Sequence, residues 1–141
     1  MANTYYFTGQ CYWAKLDKPD EKYQYWGLDL RLDDENRKAL KEAGLSLKVY
    51  TDKKEGWEYV RFRRPMQKPI KGELVDFEKP KIVDFDNIEY LDRPVIGNGS
   101  YVTCKVLVYT SDKGTGHRLE AVRVDHLVEY VPAENKDEAP F

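Results

Sequence analysis

A short segment near the middle of the chain, W-E-Y-V-R-F-R-R, alternates large aromatic and cationic residues with apolar ones. Successive side chains of a β-strand point to opposite faces, so a strand that buries Val60 and Phe62 projects its odd-numbered residues outward. These residues are Trp57, Tyr59, Arg61 and Arg63. Bases stack on aromatic rings and phosphates pair with arginine, so the row is typical of a surface that binds single-stranded nucleic acid. The alternation leaves open a strand buried on both faces, with only the guanidinium groups reaching solvent.

Two other segments carry residues that would widen such a surface. Lys53 and Lys54 lie in the turn T-D-K-K-E-G that precedes the central segment. In residues 101–110, valine and cysteine alternate with polar and aromatic residues, which predicts a strand with one buried face. Its opposite face carries Tyr101, Lys105 and Tyr109. We expect these three residues to extend the same groove.

The last residues of the chain form an acidic tail that ends in an aromatic residue. Residues 134–141, E-N-K-D-E-A-P-F, hold three acids and one base, so the other 133 residues carry 22 charges of each sign. The tail combines negative charge with an aromatic ring that is too far from other apolar residues to pack in a core. These residues are Asp137, Glu138 and Phe141. Such a segment is typical of one that mimics a DNA strand or docks into a basic, apolar pocket of a partner protein. Ordinary terminal disorder is the alternative.

The sequence contains no recognisable catalytic or metal-binding motif. His117 and His126 are not spaced as paired metal ligands. Asp84 and Asp86 would share one strand face, but surface acids explain that pattern as well as a metal site does. The Gly97-Asn98-Gly99 triplet is followed by neither a P-loop lysine nor a helix, so it indicates a turn into a strand. We therefore predict a protein that is not an enzyme and has no cofactor and no metal.

Length and hydropathy favour a single domain without a membrane segment. The chain has 141 residues, 34% of them charged, and a mean hydropathy of -0.75. Its apolar runs are far shorter than the roughly 20 residues that cross a bilayer, and its first residues lack a secretion-signal pattern. Cys11 and Cys104 both fall in strand-like stretches, which predicts two reduced, buried thiols in a reducing compartment.

The elements that must position these residues are mostly strands. Residues 4–16 read as a strand, and Y-Q-Y-W-G-L-D-L-R-L alternates with a period of two. Asp33 is a helix cap, which predicts a helix over residues 34–43 that Gly44 ends. Residues 47–50 and 57–64 flank a turn and predict a hairpin, as do residues 101–110 and 118–131. Prolines divide residues 65–99 into loops and edge strands. The fold class is therefore all-β with one short helix, a barrel or a sandwich, and a small closed barrel suits the length.

Several of these segments resemble a known family. Residues 93–109, R-P-V-I-G-N-G-S-Y-V-T-C-K-V-L-V-Y, and residues 118–130, R-L-E-A-V-R-V-D-H-L-V-E-Y, are similar to the closing hairpin of bacteriophage single-stranded DNA-binding proteins of the podovirus replication type. The segment Y-W-G-L-D-L-R-L and the tail ending in Phe141 are similar too. The resemblance implies an OB-fold-like antiparallel five-stranded barrel over residues 1–132, followed by the acidic tail over residues 133–141. The predicted helix falls between the second and third strands, which departs from the usual OB-fold position.

The resemblance also implies a function and partners. It implies a protein that coats single-stranded DNA in phage DNA replication, recombination and repair, in the cytoplasm of the infected bacterial host. The strand that holds Trp57 and Arg63 would contribute to the DNA groove. The tail would contact replication proteins such as a polymerase, helicase or nuclease, and would compete with DNA for the groove. A homodimer is one assembly the resemblance allows.

From the residues and the resemblance together we predict sequence-independent binding of single-stranded DNA. If about four phosphates are neutralised, the logarithm of affinity should fall with the logarithm of salt concentration at a slope of about -3. The alternative is a non-enzymatic protein-interaction module that uses the same exposed rings, since tyrosine, tryptophan and arginine also anchor protein interfaces. A nuclease on the same kind of barrel would need a metal site that the sequence does not supply.

Overall fold

The computed structural model describes residues 2–91, 94–112 and 114–128. Within them the chain forms one helix and a series of strands. In chain order these are β1 (Ala2–Asp20), β2 (Tyr25–Arg31), α1 (Asp34–Glu42), β3 (Tyr50–Thr51), β4 (Glu58–Pro65), β5 (Gln67–Ile70), β6 (Glu73–Asp76), β7 (Lys81–Val83), β8 (Ser100–Ser111) and β9 (Gly114–His126). The predicted fold class, all-β with one short helix, is confirmed. No helix in the described ranges has the length and hydropathy needed to span a membrane.

The main sheet has the strand order β3-β4-β2-β1-β8-β9-β7. Its pairs are antiparallel, except that β7 runs parallel to β9. Both predicted hairpins are confirmed, since β3 pairs with β4 and β8 pairs with β9. The proline-divided region contributes β7 and a separate hairpin of β5 and β6. The five long strands β1, β2, β4, β8 and β9 thus form the OB-fold-like part of the sheet.

The core lies on one face of the long strands, as their alternation predicts. Every second residue of β2 and of β8 is buried there, and Val60 and Phe62 of β4 are 1% and 0% exposed. The rings of Phe7 and Phe62 stack at 5.2 Å and join β1 to β4 across the interior. Cys11 and Cys104 are free and buried, as predicted. Burial raises the pKa of Cys11 to about 12, so this cysteine is a packed thiol rather than a reactive thiolate.

The helix ties one end of the sheet together. The Asp33 side chain accepts a 2.8 Å hydrogen bond from the backbone N–H of Asn36, and the Asn36 side chain accepts one from Asp33 N–H. This capping box satisfies the first turn of α1. The Asn36 amide also donates to the carbonyl oxygens of Arg31, at 2.8 Å, and Thr8, at 3.3 Å. The buried Asn36 therefore fixes the end of β2 against β1.

The prediction of a closed five-stranded barrel is wrong in one respect, because the sheet does not close. Among the described residues, no backbone ladder joins β4 to β9, so the sheet stays open at that seam. Side chains close it instead: Arg63 N–H donates to His117 Nε2 at 3.1 Å, and the Arg64 guanidinium pairs with Glu120 at 2.7 Å. The His117 ring also meets Phe62 edge-on at 5.8 Å. The imidazole accepts the hydrogen bond that a backbone carbonyl would accept in a closed barrel.

Candidate nucleic-acid interface

The row of alternate residues on β4 faces outward, as the alternation predicts. Trp57, Tyr59 and Arg61 are half-buried and Arg63 is exposed, whereas Val60 and Phe62 are in the core. A strand buried on both faces, the alternative, is therefore wrong. The antiparallel pairing of β2 with β4 places Arg31 opposite Tyr59 and Asp29 opposite Arg61 on the same outer surface.

Five rings, from the strands β1, β3 and β4 and from the residue just before β4, meet on this surface. We call Tyr12, Trp13, Tyr50, Trp57 and Tyr59 the aromatic cluster. Tyr12 stacks on Trp57 at 4.6 Å, and Tyr50 stacks on Tyr59 at 5.4 Å. Trp13 meets Tyr59 edge-on at 5.6 Å, and Trp57 lies 5.5 Å from Tyr59. The cluster therefore presents a continuous set of ring faces and edges.

Sequence reasoning missed three members of this cluster. Tyr12 and Trp13 stood in a segment recognised as an aromatic-rich strand, and Tyr50 ended a predicted hairpin strand. Their convergence depends on an irregularity of β1, because the pairing of β1 with β2 shifts register between Tyr12 and Lys15. Two-residue alternation assigns neighbouring residues to opposite faces, so it separates Tyr12 from Trp13. The adjacent pair of large rings was the one signal that pointed to a bulge.

Asn98 holds this irregularity in place. Trp13 has a positive φ of 49°, which is costly for a bulky residue, and the residue is 46% exposed. Its backbone N–H donates to the side-chain oxygen of Asn98 at 2.8 Å. Next to this bond, Gly99 N–H donates to the carbonyl of Cys11 at 2.9 Å. The Gly97-Asn98-Gly99 turn thus does more than lead into β8, since it anchors the bulge that presents Trp13.

Three cations surround the aromatic cluster. The Arg31 guanidinium lies 5.2 Å from the Trp57 ring, the Lys48 ammonium lies 5.0 Å from the Tyr50 ring, and the Arg63 guanidinium lies 4.8 Å from the Tyr25 ring. None of the three forms an ion pair with the described part of the chain. Sequence reasoning selected Arg63 and missed Arg31 and Lys48. The position of Arg31, two residues after Asp29 on the outward face of β2, was the available signal.

Arg61 has a different environment from the one we predicted. Its guanidinium makes two hydrogen bonds to the Asp29 carboxylate, at 2.8 and 3.2 Å, and lies 4.7 Å from the Tyr50 ring. The Asp29 side chain is only 5% exposed, so the carboxylate depends on this partner. Hydrogen bonding to Asp29 raises the pKa of Arg61 above its usual value. The charge of Arg61 is therefore balanced within the protein and is not free to neutralise a phosphate.

Open grooves flank Arg61 on both sides. One, of about 420 Å³, is lined by Trp13, Lys15, Tyr25 and Tyr59 together with the Arg61–Asp29 pair. The other, of about 180 Å³, is lined by Lys48, Tyr50 and Arg63 and reaches His117 at the seam. Two open grooves that meet at Arg61 suit an extended ligand better than a small enclosed molecule.

The remaining predicted residues are only partly brought to this surface. Tyr101 lines a small groove with Gln10 and Arg31, next to the aromatic cluster. Lys53 and Lys54 are exposed in the turn before β4 and line neither groove. Asp137, Glu138 and Phe141 lie outside the described residues.

We predicted that Lys105 and Tyr109 extend the groove, but they line neither of the two grooves beside Arg61. They follow Tyr101 along β8, so Lys105 lies about 13 Å farther along the strand at 3.3 Å per residue. Tyr109 is engaged elsewhere, since its hydroxyl lies 3.1 Å from the Lys68 ammonium and its ring covers Gly116. A shared strand face does not imply a shared site when the strand is long and twisted.

The described residues hold no cluster of three or more histidine, cysteine, aspartate or glutamate side chains suited to a metal ion. The Asp84 carboxylate instead accepts hydrogen bonds from the backbone N–H groups of Asp86, at 2.9 Å, and Ile88, at 3.0 Å. Asp84 therefore stabilises a turn.

Comparisons with solved structures reveal similar folds. The crystal structure of gp2.5, a single-stranded DNA-binding protein encoded by bacteriophage T7, matches with a TM-score of 0.62 and 19% identity, over 99% of this chain and 96% of that one. The single-stranded DNA-binding protein of bacteriophage Enc34 in complex with ssDNA matches with a TM-score of 0.57 and 14% identity, over 92% of this chain and 89% of that one. A C-terminally truncated form of the Enc34 protein gives a TM-score of 0.55. No protein-family model matches the chain, and no curated protein matches it by sequence. The resemblance to phage single-stranded DNA-binding proteins is thus confirmed at the level of the fold.

Proposed function

We propose that this protein binds single-stranded DNA without sequence preference, through the aromatic cluster. The observation that carries the proposal is the combination, on one outward surface, of stacked and edge-on rings with Arg31, Lys48 and Arg63, three cations that have no ion-pair partner within the described residues. Bases have a ring face whatever their identity, so aromatic stacking tolerates any sequence. The cations neutralise the phosphates between the stacked bases.

The parts of the surface have separate roles in this mechanism. Trp13, which is 46% exposed, and Tyr101, which is 42% exposed, offer ring surface to incoming bases. Each stacked base contributes roughly 1 to 3 kcal/mol of binding free energy. The Arg61–Asp29 pair acts as a rigid support that holds Tyr50 against Tyr59. Duplex DNA hides its ring faces within its own stack, so we expect it to bind much more weakly.

Similarity of fold supports this proposal. The T7 and Enc34 proteins are named for single-stranded DNA binding, and the Enc34 structure contains ssDNA. By the same similarity we propose that this protein acts in phage DNA replication, recombination and repair in the cytoplasm of an infected bacterium. The tail residues Asp137, Glu138 and Phe141 would contact replication proteins, because their charge and terminal ring suit a basic pocket with an apolar floor.

Tryptophan fluorescence tests the proposed function directly. Trp13 and Trp57 belong to the aromatic cluster, so stacking of bases should quench their emission when oligo(dT) is added. Parallel titrations with duplex DNA and with RNA of equal length establish which nucleic acid is preferred. An unchanged emission together with no binding by anisotropy would refute the proposal and favour the protein-interaction module. Incubation of labelled ssDNA with Mg²⁺ checks for nuclease activity.

A further inference from the structure

A second outward groove, of about 240 Å³, lies on the other half of the main sheet. Strand register builds it, because Tyr6 pairs with Lys105, Lys105 with Ala121, and Ala121 with Lys81. These four residues therefore form a row across β1, β8, β9 and β7. The small side chain of Ala121 leaves an open floor between the two lysines. We call this site the second groove.

A neighbouring row forms the other wall of the second groove. Thr103 pairs with Arg123, and Arg123 pairs with Val83. The Arg123 guanidinium lies 5.2 Å from the Phe85 ring and is held by the Asp125 carboxylate at 2.6 Å. Phe85 is 63% exposed and Tyr6 is 61% exposed, so both rings present faces to solvent near the cations.

The charges of the second groove are only partly balanced. Asp125 is engaged by Arg123 and also accepts a 2.7 Å hydrogen bond from the Thr103 hydroxyl. Lys81 and Lys105 form no ion pair with the residues that the structure describes. Ala121 lies on the strand between these two lysines, so the backbones of Lys81 and Lys105 are about 10 Å apart. Two long, flexible ammonium groups at that spacing can converge on one phosphate or contact two successive ones.

We propose that the second groove binds further nucleotides of the same DNA strand that the aromatic cluster holds, and this proposal rests on the proposed function. Lys81 and Lys105 would pair with phosphates, while Tyr6 and Phe85 would stack bases. Strand β8 connects the sites, because Tyr101 lies beside Arg31 at the aromatic cluster and Lys105 lies about 13 Å farther along the same face. Exposed rings beside lysines favour a polynucleotide over a purely acidic protein segment, which has no base to stack.

Oligonucleotide length separates the two sites experimentally. Oligo(dT) strands of about 4 to 16 nucleotides cover the range of site sizes known for OB folds. The test variant is Lys81→Gln/Lys105→Gln in the full chain. The control is Lys38→Gln/Lys41→Gln, which makes the same charge change at exposed positions of α1. Circular dichroism and thermal melting establish that both variants fold.

We expect the test variant to bind the shortest strands like the wild type and to lose affinity only for long ones. Two lost phosphate contacts reduce the salt slope by about 1.4, which corresponds to a loss of about 25-fold at 0.1 M salt. Tyr6→Leu, which removes a ring without changing charge, should weaken only long strands, by about 5- to 150-fold for one stacked base. The control should bind all lengths like the wild type.

Other results would overturn the proposal in distinguishable ways. Wild-type affinity of the test variant for every length excludes DNA from the second groove, while the aromatic cluster remains a binding site. Equal losses in the test and control variants indicate a general charge effect. Unchanged DNA binding together with a loss of affinity for polyglutamate assigns the second groove to an acidic protein segment. Failure of the wild type to bind any length refutes the proposed function itself.

Discussion

At the scale of single residues, side chains of the same type on one strand face can have different partners and therefore different roles. Arg61 and Arg63 are two residues apart on β4, yet Arg61 is bound to the buried Asp29 while Arg63 lies over Tyr25 without a carboxylate partner among the described residues. Alternation along a strand predicts the face of a side chain correctly. It cannot predict the partner on the neighbouring strand, because the register of β2 against β4 brings Asp29 to Arg61.

Trp57 contacts rings from two strands of the aromatic cluster as well as an arginine, and it tests whether the cluster binds DNA. It lies beside Tyr12, Trp13, Tyr59 and Arg31, outside the buried core. Trp57→Ala should weaken binding to oligo(dT) by about 1 to 3 kcal/mol and leave the fold intact. Anisotropy titration measures the first effect and thermal melting the second. A variant that fails to fold would mean that Trp57 supports the core.

Asn98 gives a second prediction at this scale, because it positions Trp13 without belonging to the cluster. Asn98→Ala removes the acceptor for Trp13 N–H, so the left-handed backbone at Trp13 loses its support. We expect weaker binding of oligo(dT) and a changed near-ultraviolet circular dichroism spectrum in the absence of DNA, since the indole shifts against Trp57 and Tyr59. The free energy of unfolding should fall by only about 1 kcal/mol. An unchanged spectrum with wild-type affinity would show that Asn98 is dispensable for the cluster.

At the scale of elements, the sequence predicted the strands that bury one full face and missed the pairings between distant segments. The period of two in β4 and β8 identified their buried residues because each strand has one core face. In β2 it identified the apolar core face but not Asp29, which is buried on the opposite face beneath Arg61. The parallel pairing of β7 with β9 has no local signal, since the two strands lie far apart in the chain. The open seam between β4 and β9 has no local signal either. The β1 bulge has only the adjacent rings of Tyr12 and Trp13 as a signal, because its geometry depends on Asn98 from another element.

The seam makes stability depend on pH through His117. Burial, with a smaller contribution from the charge of Arg63, lowers the pKa of His117 from 6.5 to about 4. Between these values the unfolded chain binds the proton and the folded chain does not. The stability that His117 contributes is therefore complete above about pH 6.5 and is lost progressively as the pH falls to about 4. The shift corresponds to about 3 kcal/mol of unfolding free energy.

Denaturant unfolding from pH 4 to pH 7 measures this effect in matched variants. When the pH is lowered from 7 to 4, the free energy of unfolding of the wild-type protein should fall by about 3 kcal/mol more than that of His117→Gln. Both proteins carry the same carboxyl groups, so the difference reports His117. His126→Gln is the control, since it makes the same substitution at an exposed position of the same strand. Parallel profiles for wild type and His117→Gln would mean that the seam does not depend on a neutral imidazole.

At the scale of the whole molecule, local charge rather than net charge governs the proposed interaction. The formal net charge is -2, which would oppose binding to a polyanion if it were spread evenly. The main sheet instead gathers cations around the aromatic cluster and the second groove that have no ion-pair partner among the described residues, while carboxylates such as Asp29 and Asp125 are engaged by neighbouring side chains. The sequence indicated that charge was segregated, but the strand order decides which cations become neighbours.

This segregation predicts how salt affects binding to the aromatic cluster. Arg61 is balanced by Asp29, whereas Arg31, Lys48 and Arg63 have no carboxylate partner in the part of the chain that the structure describes. We therefore expect three phosphate contacts instead of the four expected from the sequence. Each contact contributes about -0.7 to the slope of log affinity against log salt for single strands, which gives about -2 for an oligonucleotide just long enough to cover the cluster. Titrations between 50 and 200 mM salt measure the slope. The control variant Lys38→Gln/Lys41→Gln makes the net charge of the protein more negative by two and should leave the salt slope unchanged. A salt slope that changes with net charge would contradict phosphate pairing at these three residues, and so would an affinity that does not depend on salt.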